Sequence, residues 1–211
     1  MAVAFKIIAS MFGYKPQKFI NRRRNRFEDI SKSKMLGYEG EFLVNQELNK
    51  LDKFNYIVIN NLTILNNNTT HQIDHVVVSN FGIFVIETKN YSGFVKGADK
   101  YSSWTHYIGR RKYHFMNPIT QNKGHIKALC SIYPEYSDYF IPIVCFSDKT
   151  KLNVGTSYIV VNLRNLLNVI KSYKTEVLIS NIHDVAQHIK NSSIDLNGIT
   201  EDHIRNVNKY R

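Results

Sequence analysis

The chain has little cysteine and no recognisable metal-ligand spacing, and these shortages exclude several classes of protein. Its two cysteines, Cys130 and Cys145, lie in apolar surroundings. This predicts buried, reduced thiols in a cytoplasmic protein rather than a disulfide framework or a zinc site. The eight histidines form no HExxH or comparable ligand pattern. A metalloprotease-type centre and a disulfide-stapled secreted domain are therefore not expected.

Long apolar runs are also missing, and this argues against a membrane span. None approaches the roughly 20 apolar residues that cross a bilayer. The nearest run, residues 3–12, is short and interrupted by Lys6, and most basic residues of the leader follow it. Such a layout is not that of a signal peptide, so we expect no secretion. Attachment of this segment to a membrane surface stays an alternative.

Acidic residues are too few to balance the basic ones, and the excess is unevenly placed. The net charge is +11, and residues 1–34 contribute +7 of it through nine Lys or Arg against two acids. A basic arm of this kind suits a polyanion, either nucleic acid or an anionic membrane surface. The alternative is a solvated leader. The arginines predicted to contact nucleic acid are Arg22, Arg23, Arg24 and Arg26.

Two acids and a lysine stand inside apolar, β-branched runs, residues 72–78 and 83–89. Such runs predict buried strands, and the turn residues 80–82 between them predict a hairpin. If Ser79 pairs with Gly82, Asp74 and Glu87 lie directly opposite, with Cβ atoms about 5 Å apart. Lys89 then projects from the same face. Like charges so placed repel, and a divalent cation such as Mg²⁺ would relieve the repulsion and activate water for phosphodiester cleavage.

The hairpin register has alternatives. A three-residue loop with a left-handed Gly82 would place the two acids on opposite faces, whereas a four-residue loop would keep them together. An edge hairpin whose acids merely maintain solubility is the structural alternative. Residues 76–78 and 83–86 are apolar on both faces, which favours a central position in the sheet.

The order of predicted elements indicates an α/β fold, with a central mixed sheet flanked by helices on both faces. A helix containing Gly37 and Gly40 is predicted over 33–51, and the two glycines suggest close backbone packing. Residues 66–70 are expected to form a polar loop, and 91–116 an irregular excursion with short strands. The remaining predictions are strands 56–59, 62–65, 141–147 and 157–161, and helices 118–133, 162–173 with Asn162 as its cap, 181–191 and 199–210.

Basic and aromatic residues interleave near the end of the excursion. Arg110, Arg111 and Lys112 precede Tyr113 and Phe115. This pattern suits phosphate contacts combined with base or sugar stacking. The alternative is an exposed hairpin that folds its two large side chains into the core.

Four ordered sequence blocks resemble the nuclease-related domain family, a branch of the PD-(D/E)xK restriction-endonuclease-like superfamily. The blocks are GYEGE at 37–41, QIDHVVV at 72–78, GIFVIETKNYSG at 82–93 and NPITQN at 117–122. Together they cover roughly residues 35–135, and four blocks in order are far more specific than one D-x(12)-E-x-K match. The resemblance implies a restriction-endonuclease-like core.

The resemblance also implies roles for particular residues. Asp74, Glu87 and Glu41 would bind Mg²⁺ or Mn²⁺, Lys89 would assist attack by water, and Gln121 would be an auxiliary polar residue. An exposed acid favoured by the helix dipole is the alternative for Glu41. For Gln121 the alternative is an ordinary polar residue in the first helical turn.

We therefore expect a metal-dependent nuclease that hydrolyses DNA, with DNA preferred to RNA. The alternative is a non-cleaving module that retains the fold and binds nucleic acid or a membrane surface. The predicted domains are a basic leader (1–34), a catalytic core (35–150) and a strand-plus-helix extension (151–211). A cytoplasmic location, peripheral to the membrane in the alternative, is expected, and homo-oligomerisation is left open.

Overall fold

The structure is a computed structural model that describes residues 34–174 and 179–194. The chain divides after residue 39 into two units, and every strand described belongs to the second. The strands are β1 (Tyr56–Asn66), β2 (Thr69–Ser79), β3 (Gly82–Lys89), β4 (Gly93–Ala98), β5 (Ser103–Ile108), β6 (Arg111–Met116), β7 (Phe140–Phe146), β8 (Thr150–Gly155) and β9 (Ile159–Asn162). The helices are α1 (34–48), α2 (Pro118–Ile132), α3 (Leu163–Ser172) and α4 (Ile182–Asn191), with a 3₁₀ helix at Pro134–Tyr139.

The first sheet is mixed and has the strand order β1-β2-β3-β7-β9. Strands β1 to β3 are antiparallel, whereas β7 runs parallel to both β3 and β9. The prediction of a polar loop at 66–70 is wrong, since only Asn67 and Asn68 separate β1 from β2. Both asparagines adopt left-handed φ angles, 48° and 60°, which short Asn side chains tolerate and which permit a two-residue hairpin turn.

The β2–β3 hairpin has the register predicted for it. Ser79 pairs with Gly82, and the pairing continues to His75 with Ile86. The Ser79 hydroxyl donates to the Gly82 carbonyl at 2.9 Å and accepts from the Phe81 N–H at 3.1 Å, which fixes the turn. Residues 76–78 and 83–86 are fully buried, so the central position is confirmed.

Helices cover both faces of this sheet, as predicted. Val76, Val78 and Val85 pack with helices α2 and α4 on one face. Val77 and Phe84 pack with α1 and α3 on the other. The alternation of neighbouring strand residues between two apolar clusters is the reason the runs are apolar throughout.

The second sheet has the order β6-β5-β4-β8 and replaces the predicted irregular excursion. Strand β8 was not predicted, because TKLNVG contains only two apolar side chains, too few for a clear strand pattern. Val95 and Trp104 are buried against Val144 and Phe146 of the first sheet. The Trp104 and Phe146 rings stack at a centroid distance of 6.3 Å.

The predicted starts of helices α2 and α3 are both confirmed, but the predicted side-chain cap of α3 is not. Asn117 caps α2 by accepting from the Ile119 N–H at 2.9 Å, ahead of Pro118. Asn162 does not cap α3 with its side chain, since its amide donates to the carbonyls of Ser147 and Thr150. Asp148 instead accepts from the Arg164 N–H at 3.0 Å.

Several predictions concern parts of the chain outside the described residues. They include the basic leader up to residue 33 and the helix at 199–210. The boundaries proposed at 34 and 150 stay predictions, although β8 and β9 each pair with a strand of a sheet. Both thiols are free, with Cys145 buried and Cys130 half-buried. Among the described helices, none is long and apolar enough to cross a membrane.

Candidate metal and nuclease site

The hydrogen-bond ladder of the first sheet is interrupted at Asp74. Strand β1 pairs with β2 at Asn60 with His75 and at Leu62 with Ile73, but the intervening Asn61 and Asp74 are unpaired. Asn61 adopts a left-handed φ of 53° there. On the other side of β2, pairing with β3 also ends at His75. The backbone of Asp74 is therefore paired with neither of the two strands that flank β2.

The interruption changes which way the side chains of β2 face. Ile73 packs in the cluster that contains α2 and α4. His75, two residues later, instead contacts Asn60 at 2.7 Å, and Asn60 bonds Asn45 of α1. Regular alternation would place residues 73 and 75 on one face. Asp74 thus lies where the strand changes face, and its side chain reaches along the sheet towards β3.

Asp74 and Glu87 do not form a bonded backbone pair, although they continue the register predicted for them. One carboxylate oxygen of Asp74 accepts from the Thr88 N–H at 2.7 Å. This side-chain bond takes the place of the ladder bond that would otherwise follow. The open ladder is what allows a carboxylate to stand inside an otherwise apolar strand.

Glu87 has both carboxylate oxygens engaged. Only 2% of the residue is exposed. Lys89 donates from Nζ to Oε1 at 2.7 Å, and His125 Nε2 lies 3.2 Å from Oε2. Lys89 also donates to Gln121 Oε1 at 3.1 Å. Strand β3 and helix α2 therefore contribute two residues each to one connected polar network.

His125 is a site residue that the sequence analysis missed. It is buried on helix α2, four residues after Gln121, so the two share one helix face. The four-residue spacing from Gln121 was the sequence signal that could have identified His125 as a site residue. A single histidine on a mostly apolar helix face is, however, equally typical of a core position. Its Nδ1 has no hydrogen-bond partner among the described residues, and its ring meets that of His71 edge-on at 6.0 Å.

The electrostatics of the site separate its acids into two kinds. Burial, and then the negative charge of Glu87, raise the pKa of Asp74 to about 7, although the Thr88 N–H opposes this rise. Burial and the Glu87 charge also raise the pKa of Glu41. In both groups the ionised form is therefore disfavoured, because burial and the nearby negative charge of Glu87 outweigh the stabilising contacts.

Glu87 and Lys89 show the opposite behaviour because they compensate each other. Burial alone would raise the pKa of Glu87, but the bond from His125 and the charge of Lys89 together hold it below its usual value. Burial alone would lower the pKa of Lys89, but Glu87 above all raises it. At neutral pH the pair is a buried carboxylate and a half-buried ammonium.

Helix α1 approaches the site through Gly40. A Cβ atom built on Gly40 would lie 2.5 Å from Cβ of Asn90, the residue directly after β3. The close packing expected of the two glycines is therefore confirmed at Gly40 but is wrong at Gly37, where a Cβ atom would meet no described residue within 4 Å. Glu41 follows Gly40 immediately, which accounts for the effect of its charge on the pKa of Asp74.

The predicted nucleic-acid-binding residues lie elsewhere. Arg110, Arg111 and Lys112 are exposed in the turn and first positions of β6, in the second sheet. Phe115 is half-buried against Tyr91 at 4.9 Å, but Tyr113 is exposed, so only one of the two large side chains reaches the core. The four leader arginines at 22, 23, 24 and 26 fall outside the described residues.

The donor set fits a hard divalent cation in chemistry and charge. Asp74, Glu41 and Glu87 supply oxygen ligands of the kind that Mg²⁺ prefers. Within residues 34–174 and 179–194, however, no group of three or more His, Cys, Asp or Glu side chains is assembled closely enough to hold a metal ion. Each Glu87 oxygen already has one partner, Lys89 or His125, so a metal ion would use a remaining lone pair of that carboxylate.

Comparison with known proteins decides the family. The family model described as the nuclease-related domain matches residues 36–147, which contain Glu41, Asp74, Glu87, Lys89, Gln121 and His125. The chain belongs to the nuclease-related domain family. An uncharacterised protein of Bacillus anthracis is 37% identical over 182 residues, which cover 84% of each chain. No solved structure matches.

The nuclease-related domain is a PD-(D/E)xK-like nuclease domain, and its restriction-endonuclease-like core corresponds to the mixed sheets and flanking helices described above. The matched segment ends at residue 147. Strands β8 and β9 therefore lie beyond it, although both belong to the sheets.

Proposed function

We propose that this protein is a Mg²⁺-dependent nuclease, with Mn²⁺ as a substitute, that hydrolyses the phosphodiester bonds of DNA. The observation that carries the proposal is the placement of Asp74. Its carboxylate lies where the strand pairing is interrupted, and burial, followed by the negative charges of Glu87 and Glu41, raises its pKa to about 7. An arrangement of this kind is costly unless a cation binds there.

A Mg²⁺ ion held by Asp74, Glu87 and Glu41 would supply an acidified water and neutralise charge that develops on the phosphate. The protein's own groups have distinct tasks. Lys89 carries a half-buried positive charge that can stabilise the developing phosphorane charge. Gln121 accepts a bond from Lys89 and so directs its ammonium. His125 holds the second oxygen of Glu87 and fixes the carboxylate plane.

A second candidate function is a module that binds nucleic acid without cutting it. The observation that favours it is the charge compensation of Glu87, because Lys89 and His125 already balance this carboxylate within the protein. Binding to an anionic membrane surface through residues 1–34 is a further proposal, and it depends on the charge of that segment alone.

The experiment is a cleavage assay with the purified full chain on linear, supercoiled and single-stranded DNA, in Mg²⁺, Mn²⁺ or EDTA. Asp74→Asn removes one charge and keeps an oxygen that can accept from Thr88. Asp138→Asn, at an exposed position in the 3₁₀ helix, is the matched control.

Metal-dependent cutting that is lost in Asp74→Asn and kept in Asp138→Asn supports the nuclease. DNA that is shifted in a gel but not cut under any condition supports the binding module. Flotation with anionic liposomes that requires residues 1–30, without DNA binding, supports the membrane alternative.

A further inference from the structure

The second sheet has one packed face and one solvent-facing face. Val95, Trp104 and Phe115 turn inward, towards Val144 and Phe146 of the first sheet. The alternate residues of the same strands turn outward. We call the surface formed by these outward-facing residues the outer face. Its central members are Phe94, Lys96, Thr105, Tyr107, Lys112, His114, Lys151 and Asn153.

Strand register places these residues in two rows across all four strands. The first row runs Lys151, Phe94, Tyr107, Lys112, and the second runs Asn153, Lys96, Thr105, His114. The Thr105 hydroxyl and His114 Nδ1 approach within 3.4 Å, as neighbours in one row should. The first row therefore has two aromatic rings in the middle and a lysine at each end.

The charge of this sheet has a single sign. Strands β4, β5, β6 and β8 contain four Lys or Arg (Lys96, Arg111, Lys112 and Lys151) and no Asp or Glu. Arg110 adds a further positive charge in the turn before β6. A surface of this kind attracts a polyanion.

The aromatic pair adds a second kind of contact. Phe94 is 36% exposed and Tyr107 is half-buried, and their ring centroids lie 5.9 Å apart. Neighbouring strands are about 4.8 Å apart, so the first row spans about 14 Å from lysine to lysine. Exposed rings between cations form the combination by which proteins hold unpaired bases and the phosphates that flank them.

We propose that the outer face binds single-stranded nucleic acid, with bases stacked on Phe94 and Tyr107 and phosphates bound by Lys96, Lys112 and Lys151. A duplex keeps its bases stacked on one another, so it offers the two rings no free base surface. Charge alone would attract either form of nucleic acid, and it is the rings that select the unpaired strand.

The outer face lies close to the candidate active site along the chain. Phe94 follows Lys89 by five residues, a distance of at most about 18 Å in extended chain. A strand held on the first row would therefore come within a few nucleotides of the site. The inference deepens the proposed function by naming its substrate class, and it rests on that function for the fate of the bound strand.

The test measures binding without cleavage. Fluorescence anisotropy with labelled oligothymidylate and oligouridylate of about 20 nucleotides, chosen to exceed one site, is run in EDTA beside a matched duplex. The ring variant is Phe94→Ala with Tyr107→Ala, and the charge variant is Lys96→Ser with Lys112→Ser and Lys151→Ser. Phe54→Ala with Lys53→Ser is the control, since Phe54 is 91% exposed and lies outside the second sheet.

We expect the ring variant to lose at least about tenfold in affinity for the single strand. The charge variant should lower the slope of log K against log salt by about 2, or about 0.7 for each phosphate contact removed. The control should bind as the parent does. Phe94→Trp with Tyr107→Phe keeps both rings and should restore binding, which separates stacking from a folding defect.

Several results would overturn the inference. The first is unchanged affinity for the single strand in the ring and charge variants, and the second is tighter binding of the duplex than of the single strand. The third is a ring variant that weakens only binding to phosphatidylserine vesicles, or only self-association. Because the assay needs no metal, the two proposals fail separately. Cleavage with ring-independent binding would refute this inference alone, and ring-dependent binding without cleavage would refute the nuclease alone.

Discussion

Asp74 should destabilise the metal-free protein, and its replacement by Asn should stabilise it. The pKa of Asp74 rises from 3.8 to about 7 on folding. A carboxyl with a raised folded pKa favours the folded state while protonated, so stability is greatest below pH 3.8 and falls as the pH rises towards 7. A tenfold difference in proton affinity between the folded and unfolded states corresponds to about 1.4 kcal/mol of folding free energy. A rise of about three pKa units therefore means that ionised Asp74 lowers the free energy of unfolding by up to about 4 kcal/mol above pH 7.

The asparagine of the Asp74→Asn variant would carry no charge and could still accept the Thr88 N–H. We therefore expect this variant to raise the free energy of unfolding by about 2 to 4 kcal/mol at pH 8 in EDTA. At pH 4 the gain should fall to under about 1 kcal/mol, since Asp74 is then protonated in the folded state and about half protonated in the unfolded state. The assay is urea denaturation at both pH values, and Asp138→Asn should stay within about 0.5 kcal/mol of the parent. A variant no more stable than the parent at pH 8, or one with the same gain at pH 4, would refute the electrostatic reasoning.

Three further predictions concern neighbouring groups. Glu87→Gln should cost about 3 kcal/mol in urea denaturation, because it leaves the half-buried Lys89 ammonium without its counter-ion, and adding Lys89→Met should recover most of that loss. If the double variant is as unstable as the single one, the pair is not the cause. Mg²⁺ at millimolar concentration should raise the Tm of the parent by stabilising ionised Asp74, but should leave that of Asp74→Asn unchanged; equal shifts in calorimetry would point to a different metal site. Gly40→Ala should destabilise by about 1 to 3 kcal/mol through its clash with Asn90, and Asn90→Gly should relieve it; equal melting of parent and Gly40→Ala would argue against the close approach of α1.

The register that brings Asp74 and Glu87 together was predictable because local chemistry fixes it. Ser79 and Gly82 flank a two-residue turn, and this turn sets the pairing of two strands whose runs, apolar on both faces, could not set it themselves. The face change at Asp74 was not predictable, since it depends on the left-handed Asn61 of the neighbouring strand. Long-range pairing decides such irregularities, and a single strand's sequence does not carry them.

The polar partners of the site were harder to predict than the acids. Gln121 was found through its motif, whereas His125 has no motif and becomes meaningful only when α2 is docked on β3. Asn162 shows the reverse error. Its position before a helix suggested a cap, but the carbonyls of Ser147 and Thr150 compete for its amide once β7, β8 and β9 meet.

We propose that the carboxylates around Asp74 form a metal-dependent nuclease site. The decisive measurement is cleavage of labelled DNA by the purified protein in Mg²⁺, compared with EDTA and with Asp74→Asn. We expect cutting that requires the metal, survives in Asp138→Asn and disappears in Asp74→Asn although that variant is the more stable protein. Cutting that persists in Asp74→Asn, or an active-site variant and parent that are equally inert on every DNA substrate, would contradict it.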